Sequence, residues 1–404
     1  MNNETYLNTE KRSHCTGCEA CVQSCSQNAI SFHFDDEMFG YPVIDKEKCV
    51  NCGKCYECCP VGRQELLNTS KQYCFGGYST DADVLQKSTS GGAFTEIVKG
   101  WCGDNCVVFG AVQNSELQVE HKYITDIAEL DIMRKSKYSQ SRIGTAYCDC
   151  RRFLAEGKKV IFSGTPCQIA GLKAYLGNKD YPNLLTIDVI CEGVPSPKFI
   201  RSFVSYLEEK NKSKIISLDY RDKDNDRWDF NVMSALFQNG KTVKIDRWVN
   251  PFFDFWMQHI MSRPSCYECM YTSTNRAADI TLGDLWGVHV ICPELYNDNR
   301  GCSLILCNTE KGLDAFTSAQ MIKRKLELEA VLKFCSRMRN PVQYNERREE
   351  FLSDLDVMPF RTIRKKWYKG SSLKFLFSKY VYGSNRQKVN KYLRKQKRDN
   401  KERG

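Results

Sequence analysis

Cys15-Thr16-Gly17-Cys18-Glu19-Ala20-Cys21-Val22-Gln23-Ser24-Cys25 and Cys49-Val50-Asn51-Cys52-Gly53-Lys54-Cys55-Tyr56-Glu57-Cys58-Cys59-Pro60 share one spacing, C-x2-C-x2-C-x3-C. Two-residue gaps let a tight loop present three thiolates to three corners of an iron–sulfur cube. The fourth cysteine lies past the loop, on a helical turn that points away, and reaches the other cube. The exchange predicts one 4Fe-4S cluster on Cys15, Cys18, Cys21 and Cys59, and a second on Cys49, Cys52, Cys55 and Cys25. Ser26 stands where proline often follows the fourth cysteine, and Cys58 offers a rival to Cys59, which Pro60 favours. The competing metal is zinc, whose sites usually come as paired CxxC knuckles rather than triple runs. The segment between the runs, Ile30 to Asp45, fits a short hairpin, with His33 on a strand surface.

Beyond these runs, the chain has 404 residues, 22 of them cysteine, with 42% hydrophobic and 27% charged composition. That is the make-up of a folded globular chain with room for two or three domains. No apolar run is long enough to span a bilayer, and Met1 to Thr5 shows no secretory pattern. Cysteine usage therefore points to metal or redox chemistry in the cytoplasm rather than to a disulfide scaffold. The formal net charge is +10, but Lys and Arg outnumber Asp and Glu by 16 to 2 between Arg361 and Gly404. The positive charge is thus a tail property, and no nucleic-acid partner is expected of the body. The tail also carries Trp367, Tyr368, Phe375, Phe377, Tyr380 and Tyr382. Partner docking, plain solvation and peripheral contact with an anionic membrane all fit such a composition.

After a polar joint at about 64–72, apolar strands alternate with helical stretches. Strands are predicted at Cys106–Val112, Lys159–Gly164 and Leu184–Ile190, and helices at Ala93–Lys99, Thr145–Glu156, Cys167–Leu176 and Pro197–Lys210. The alternation predicts a sheet with covering helices. Ile215–Tyr220, Phe230–Leu236 and Thr242–Ile245 predict an antiparallel insertion.

Four more cysteines have unusual settings: Cys167 in Ser163-Gly164-Thr165-Pro166-Cys167-Gln168, Cys191 in Asp188-Val189-Ile190-Cys191-Glu192-Gly193, and the pair Cys266-Tyr267-Glu268-Cys269. Cys167 and Cys191 each follow a strand, and in an open sheet the carboxyl ends of parallel strands face the ligand crevice. Two strand-end thiols and one CxxC could close a third cluster, or be plain core cysteines. The Ser88–Thr95 stretch opens a helix with a Ser-Gly-Gly turn, which suits an anion at a helix N-terminus as well as an ordinary cap. Lys137 and Tyr138 lie in a polar loop. Asp284 and Trp286 lie in a turn after an apolar strand, where an aspartate can also simply bond its own backbone. Arg276 precedes that strand and could take a substrate acid or phosphate. The five histidines form no metal-spaced group, and no catalytic residue is assigned. Cys102, Cys106, Cys148, Cys150, Cys292, Cys302, Cys307 and Cys335 have no motif and are expected as free thiols.

An ordered set of stretches then resembles one family. It runs through Ser88–Thr95, Arg134–Ser141, Gly164–Gln168, Gly193–Pro197, Tyr220–Lys223, Arg263–Cys269 and Ala278–Gly287. The chain resembles the beta-subunit family of coenzyme F-420 hydrogenases and dehydrogenases, joined to an N-terminal two-cluster ferredoxin domain. The resemblance implies FAD beside a third 4Fe-4S cluster on Cys167, Cys191, Cys266 and Cys269. It implies flavin contacts from Ser90, Gly91, Gly92, Thr95, Lys137, Tyr138 and Asp284. Glu192 departs from the family's histidine after the cysteine, and nothing reads out a deazaflavin.

The expected fold class is α+β and α/β: a small two-cluster ferredoxin-like domain (1–65), a mixed α/β flavin and iron–sulfur domain (73–355) and a basic helical tail (361–404). The expected function is an FAD- and 4Fe-4S-dependent oxidoreductase. It would pass electrons between a ferredoxin or redox partner protein and a small-molecule substrate. The alternative is a non-catalytic electron-transfer subunit of a larger redox complex.

Overall fold

The computed structural model describes residues 4–103, 105–223, 228–382, 389 and 392–395. The N-terminal cysteine runs flank a hairpin of β1 (Ile30–Phe34) and β2 (Gly40–Ile44), paired antiparallel. The two cysteine loops share a backbone shape. The residues on either side of the second cysteine are left-handed in both: Gly17 and Glu19 around Cys18, Asn51 and Gly53 around Cys52. Glu19 holds that conformation without being glycine because its carboxylate is fixed. It is 4% exposed, takes Arg142 Nε at 2.7 Å and accepts the Ile143 amide at 3.1 Å.

The remaining strands are β3 (Tyr73–Ser79), β4 (Cys106–Gln113), β5 (Val119–Ile124), β6 (Lys159–Gly164), β7 (Leu184–Val189), β8 (Ile215–Asp222), β9 (Val232–Phe237), β10 (Thr242–Ile245), β11 (Ile280–Asp284), β12 (Ser303–Cys307) and β13 (Met321–Lys325). Eight of them make one mixed sheet in the order β13-β3-β12-β11-β7-β6-β4-β5. β4, β6, β7 and β11 run parallel, and β5, β12, β3 and β13 complete the sheet antiparallel. Continuous apolar runs form the parallel strands because helices cover both faces. In β6, Val160 and Phe162 face a core with helices Ala146–Ala155 and Pro166–Tyr175, while Ile161 faces one with Ala93–Trp101 and Glu310–Thr317.

β8, β9 and β10 form the expected antiparallel insertion. It packs on helix Pro197–Asn211 through an aromatic core that includes Phe199, Phe203, Phe237 and Phe252. Phe360, Ile363 and Trp367, on helix Phe360–Trp367, are buried in the same core. Of the basic tail, residues 383–388, 390, 391 and 396–404 lie outside the described residues. One expectation for the cysteines fails: Cys102 and Cys106 are disulfide-bonded, the end of helix Ala93–Trp101 and the start of β4 bringing their Cα atoms 5.4 Å apart.

Candidate functional site

Cys15, Cys18, Cys21 and Cys59 line one cavity of roughly 370 Å³, counting space open to solvent. Cys21 rides on the short helix Ala20–Ser24, and Cys59 arrives from the second run. The Gly17 amide points to Cys15 Sγ at 3.4 Å, the kind of donor that stabilises a thiolate. Burial pushes the Cys18 thiol well up, and Cys59 and Cys15 push it further. Burial and neighbouring thiols likewise push Cys21 and Cys59 up. A cationic iron core would reverse that penalty by favouring the thiolate form. The donor chemistry therefore fits the group.

In the second loop, burial pushes the Cys55 thiol up, with added repulsion from Cys49 and Cys52. Cys25 follows helix Ala20–Ser24, and the Ala29 amide points to its Sγ at 3.3 Å. Cys58 is turned elsewhere: its Sγ donates to Ser24 Oγ at 3.1 Å.

The other four cysteines also share a cavity. Cys167, Cys191, Cys266 and Cys269 line a space of roughly 650 Å³, again counting open solvent. It lies beyond the carboxyl ends of β6 and β7. Thr165 caps helix Pro166–Tyr175 immediately after β6, with its amide bonded to Gln168 Oε1 at 3.0 Å, and so sets Cys167 on the first turn. Cys266 closes the turn Pro264–Cys266. Burial pushes the Cys191 thiol well up, and Cys266, Cys167 and Cys269 add to it. The Cys167 thiol rises to about 11 through burial and then Cys269, and that of Cys266 to about 12 for the same reasons. The donor set again suits a cationic core.

The two cavities adjoin. Thr16 lines both, and Cys18 feels Cys167 electrostatically. Gly171, on the helix that carries Cys167, leaves its side-chain space to Cys18.

Several residues expected at a flavin lie where the start of helix Ala93–Trp101 meets the start of β12. Ser90 Oγ donates to Cys302 O at 2.8 Å, and the Gly91 amide donates to Ser303 Oγ at 2.9 Å. A Cβ on Gly91 would fall 2.3 Å from Gly77 O, so no other residue fits there. Gly92, with φ +86°, starts helix Ala93–Trp101, and Thr95 is buried in its first turn. Thr89 Oγ1 accepts the Ser136 amide at 2.9 Å, which ties this turn to the Lys137–Tyr138 loop. Lys137 Nζ donates to Arg134 O at 2.8 Å, and burial draws its pKa down to about 8. Tyr138 packs against Tyr220, Phe253 and Trp256.

Asp284 receives Arg221 Nη1 at 2.7 Å and Trp228 Nε1 at 2.8 Å. Arg276 is spent inside the protein, with Nη2 on Asp188 at 3.0 Å and Nη1 on Tyr271 O at 2.8 Å, because a buried guanidinium needs every donor met. Conversely, sequence reasoning misses Arg221 and Lys223 as members of this site. Lys223 is 4% exposed and donates to Leu85 O and Ser90 O, both at 2.6 Å. The available signal is their place within the Tyr220–Lys223 stretch, at the end of β8. Glu192 pairs with Arg337 at 3.2 Å and His259 at 3.4 Å beside Cys191.

Two parts of the chain match known families. Residues 157–333 match the family described as the C terminus of the coenzyme F420 hydrogenase/dehydrogenase beta subunit, and residues 14–63 match the 4Fe-4S dicluster domain. The chain thus joins a region that matches the 4Fe-4S dicluster domain to one that matches the C terminus of the coenzyme F420 hydrogenase/dehydrogenase beta subunit. Among curated proteins, UacF of Escherichia coli strain K12, which bears an oxidoreductase name, is 34% identical over 61 residues, 15% of this chain and 9% of its own. An uncharacterized ferredoxin of Methanocaldococcus jannaschii is 36% identical over 62 residues, 15% of this chain and 38% of its own. The chain thus spans well under half of either relative. A solved structure of the F420-reducing NiFe hydrogenase complex from Methanosarcina barkeri aligns with a TM-score of 0.42 and 17% identity, over 75% of this chain and 97% of that one. No helix among the described residues is long and apolar enough to cross a membrane.

Proposed function

We propose that the chain is an iron–sulfur flavoprotein oxidoreductase. Electrons would pass between a ferredoxin-type donor or redox partner protein and a two-electron small-molecule substrate, in the cytoplasm. Residues 1–65 would hold two 4Fe-4S clusters on the eight cysteines of the two runs. Residues 73–355 would hold a third on Cys167, Cys191, Cys266 and Cys269, together with FAD. The observation that carries the reading is the adjacency of the two four-thiol cavities, which share Thr16 and meet at Cys18 and Gly171. Electron transfer needs such closeness, whereas two structural metal sites do not.

FAD, when bound, accepts electrons singly and hands them on in pairs, which joins cluster chemistry to a two-electron substrate. The chain's own groups suit its charge. The Gly91–Gly92 turn opens a helix N-terminus, Lys223 donates to Ser90 O beside it, and Arg221 is the permanent cation of the neighbouring β8 end. Ser90 and Thr89 tie that turn to the sheet and to the lysine loop. Asp284 keeps Arg221 fixed and charged.

A second reading, a non-catalytic electron-transfer subunit, has in its favour that the matched family is a subunit type. Flavin content and turnover separate the two. Anaerobically purified protein should carry about one flavin per chain and reduce a soluble two-electron acceptor. Clusters without flavin, and no turnover, would assign the carrier role instead.

A further inference from the structure

Arg263 is 1% exposed, yet no carboxylate pairs with it among the described residues. Its Nε donates to Cys15 O at 2.9 Å, Nη1 to Gln140 Oε1 at 3.0 Å and Nη2 to Gly40 O at 3.0 Å. Its guanidinium also lies over the rings of Tyr41, at 4.6 Å, and Phe39, at 5.2 Å. All these partners are neutral. The other buried arginines nearby are neutralised: Arg276 by Asp188 and Arg348 by Glu37. Buried Lys137 and Lys223, bonded to carbonyls, can give up a proton; a guanidinium cannot. A permanent buried charge with only dipoles around it is costly, so a missing anion is implied.

Geometry says which anion. The ionisable neighbours acting on Arg263 are the thiols of Cys15, Cys266 and Cys167 and the Tyr41 phenol. Cys15 belongs to the first four-thiol cavity; Cys167 and Cys266 belong to the second, which Arg263 itself lines. Four thiolates around an iron–sulfide core leave a net anion, and reduction adds a further negative charge. A fixed, buried cation between two such groups favours the reduced form of both.

We propose that Arg263 is the shared counter-cation of two clusters, those of Cys15/Cys18/Cys21/Cys59 and Cys167/Cys191/Cys266/Cys269, and holds both at raised reduction potential. It is a positioning residue: it touches the loops and the sulfur environment and no substrate. The inference rests on the three-cluster reading above.

The test is an anaerobic redox titration of the full chain followed by electron paramagnetic resonance, with signals assigned through Cys52→Ser and Cys191→Ser. Arg263→Gln should shift two midpoint potentials downward and leave that of the Cys49/Cys52/Cys55 cluster in place. Arg263→Lys, which keeps the charge, should restore both. Gln140→Glu puts a carboxylate beside Nη1 without removing the guanidinium and should lower the same two potentials, so it decides the matter even where Arg263→Gln loses a cluster. Wild-type iron content with all potentials unmoved, or with only one moved, overturns the shared role. A wild-type chain with two clusters' worth of iron overturns the three-cluster reading, and this inference with it.

Discussion

Gly171 lies against Cys18: a Cβ at position 171 would stand 2.9 Å from Cys18 Cβ, 3.1 Å from its Sγ and 2.9 Å from the Tyr147 hydroxyl. Residue 171 is on the helix that presents Cys167, and residue 18 is in the first cysteine loop. The absence of a side chain thus lets the ferredoxin-like loop approach the sheet's cysteine site. Tyr147 cannot easily yield, since its hydroxyl donates to Gln168 O at 2.7 Å and it is fully buried. Gly171→Ala should cost about 1–3 kcal/mol, the usual penalty of overpacking. Denaturant unfolding under anaerobic conditions measures it; a change below about 0.5 kcal/mol would mean that the contact is loose.

Cys58 and Cys59 should separate cleanly. Cys59 shares the cavity with Cys15, Cys18 and Cys21, while Cys58 Sγ donates to Ser24 Oγ and Cys55 O. Cys59→Ser should remove about four iron atoms per chain, and Cys58→Ser none. Equal losses in the two variants would show that the ligand is not fixed by this geometry.

Arg221 and Asp284 form a two-pronged pair, at 2.7 and 3.2 Å, with side chains 4% and 14% exposed. Breaking a buried pair leaves the remaining charge uncompensated, at about 3–5 kcal/mol. Asp284→Asn should therefore lower the melting temperature and loosen flavin retention together. A variant that melts earlier but keeps flavin fully would place the pair in the fold alone.

Lys223 gives a pH signature. Burial draws its pKa from 10.5 down to about 7, opposed by Asp284 and assisted by Arg221, Lys135 and Arg300. Between those values the unfolded chain holds a proton that the folded chain releases. This contribution to stability therefore rises with pH from about 7 to 10.5. Lys223→Met should flatten that part of the stability curve of the flavin-free protein. A slope unchanged in the variant would assign it elsewhere, Lys137 being the neighbour with the same sign.

The cysteine runs were legible because ligand spacing is a local property of the chain. β6 and β7 were legible because strands buried on both faces are apolar throughout. β3 was not: Gly76 and Gly77 weaken any strand signal, yet they are required, since a Cβ on Gly77 would fall 2.6 Å from Ile322 O and one on Gly76 2.7 Å from Leu285 Cδ2. β5 and β13 are sheet edges with lysines, polar enough to look like loop. For the site, Cys167, Cys191, Cys266 and Cys269 could be nominated from their settings, but only the fold brings them to one cavity. The buried roles of Arg263 and Arg276 were hidden for a different reason. A buried arginine looks like a surface one until its three-dimensional partners are known.

If two four-thiol sites beside each other, with the second cysteine loop, hold three clusters in electrical contact, anaerobic iron and acid-labile sulfide analysis of the purified chain will show it. About twelve iron and twelve sulfide per chain are expected, falling by about a third in Cys191→Ser. About eight of each, unchanged in Cys191→Ser, would contradict it.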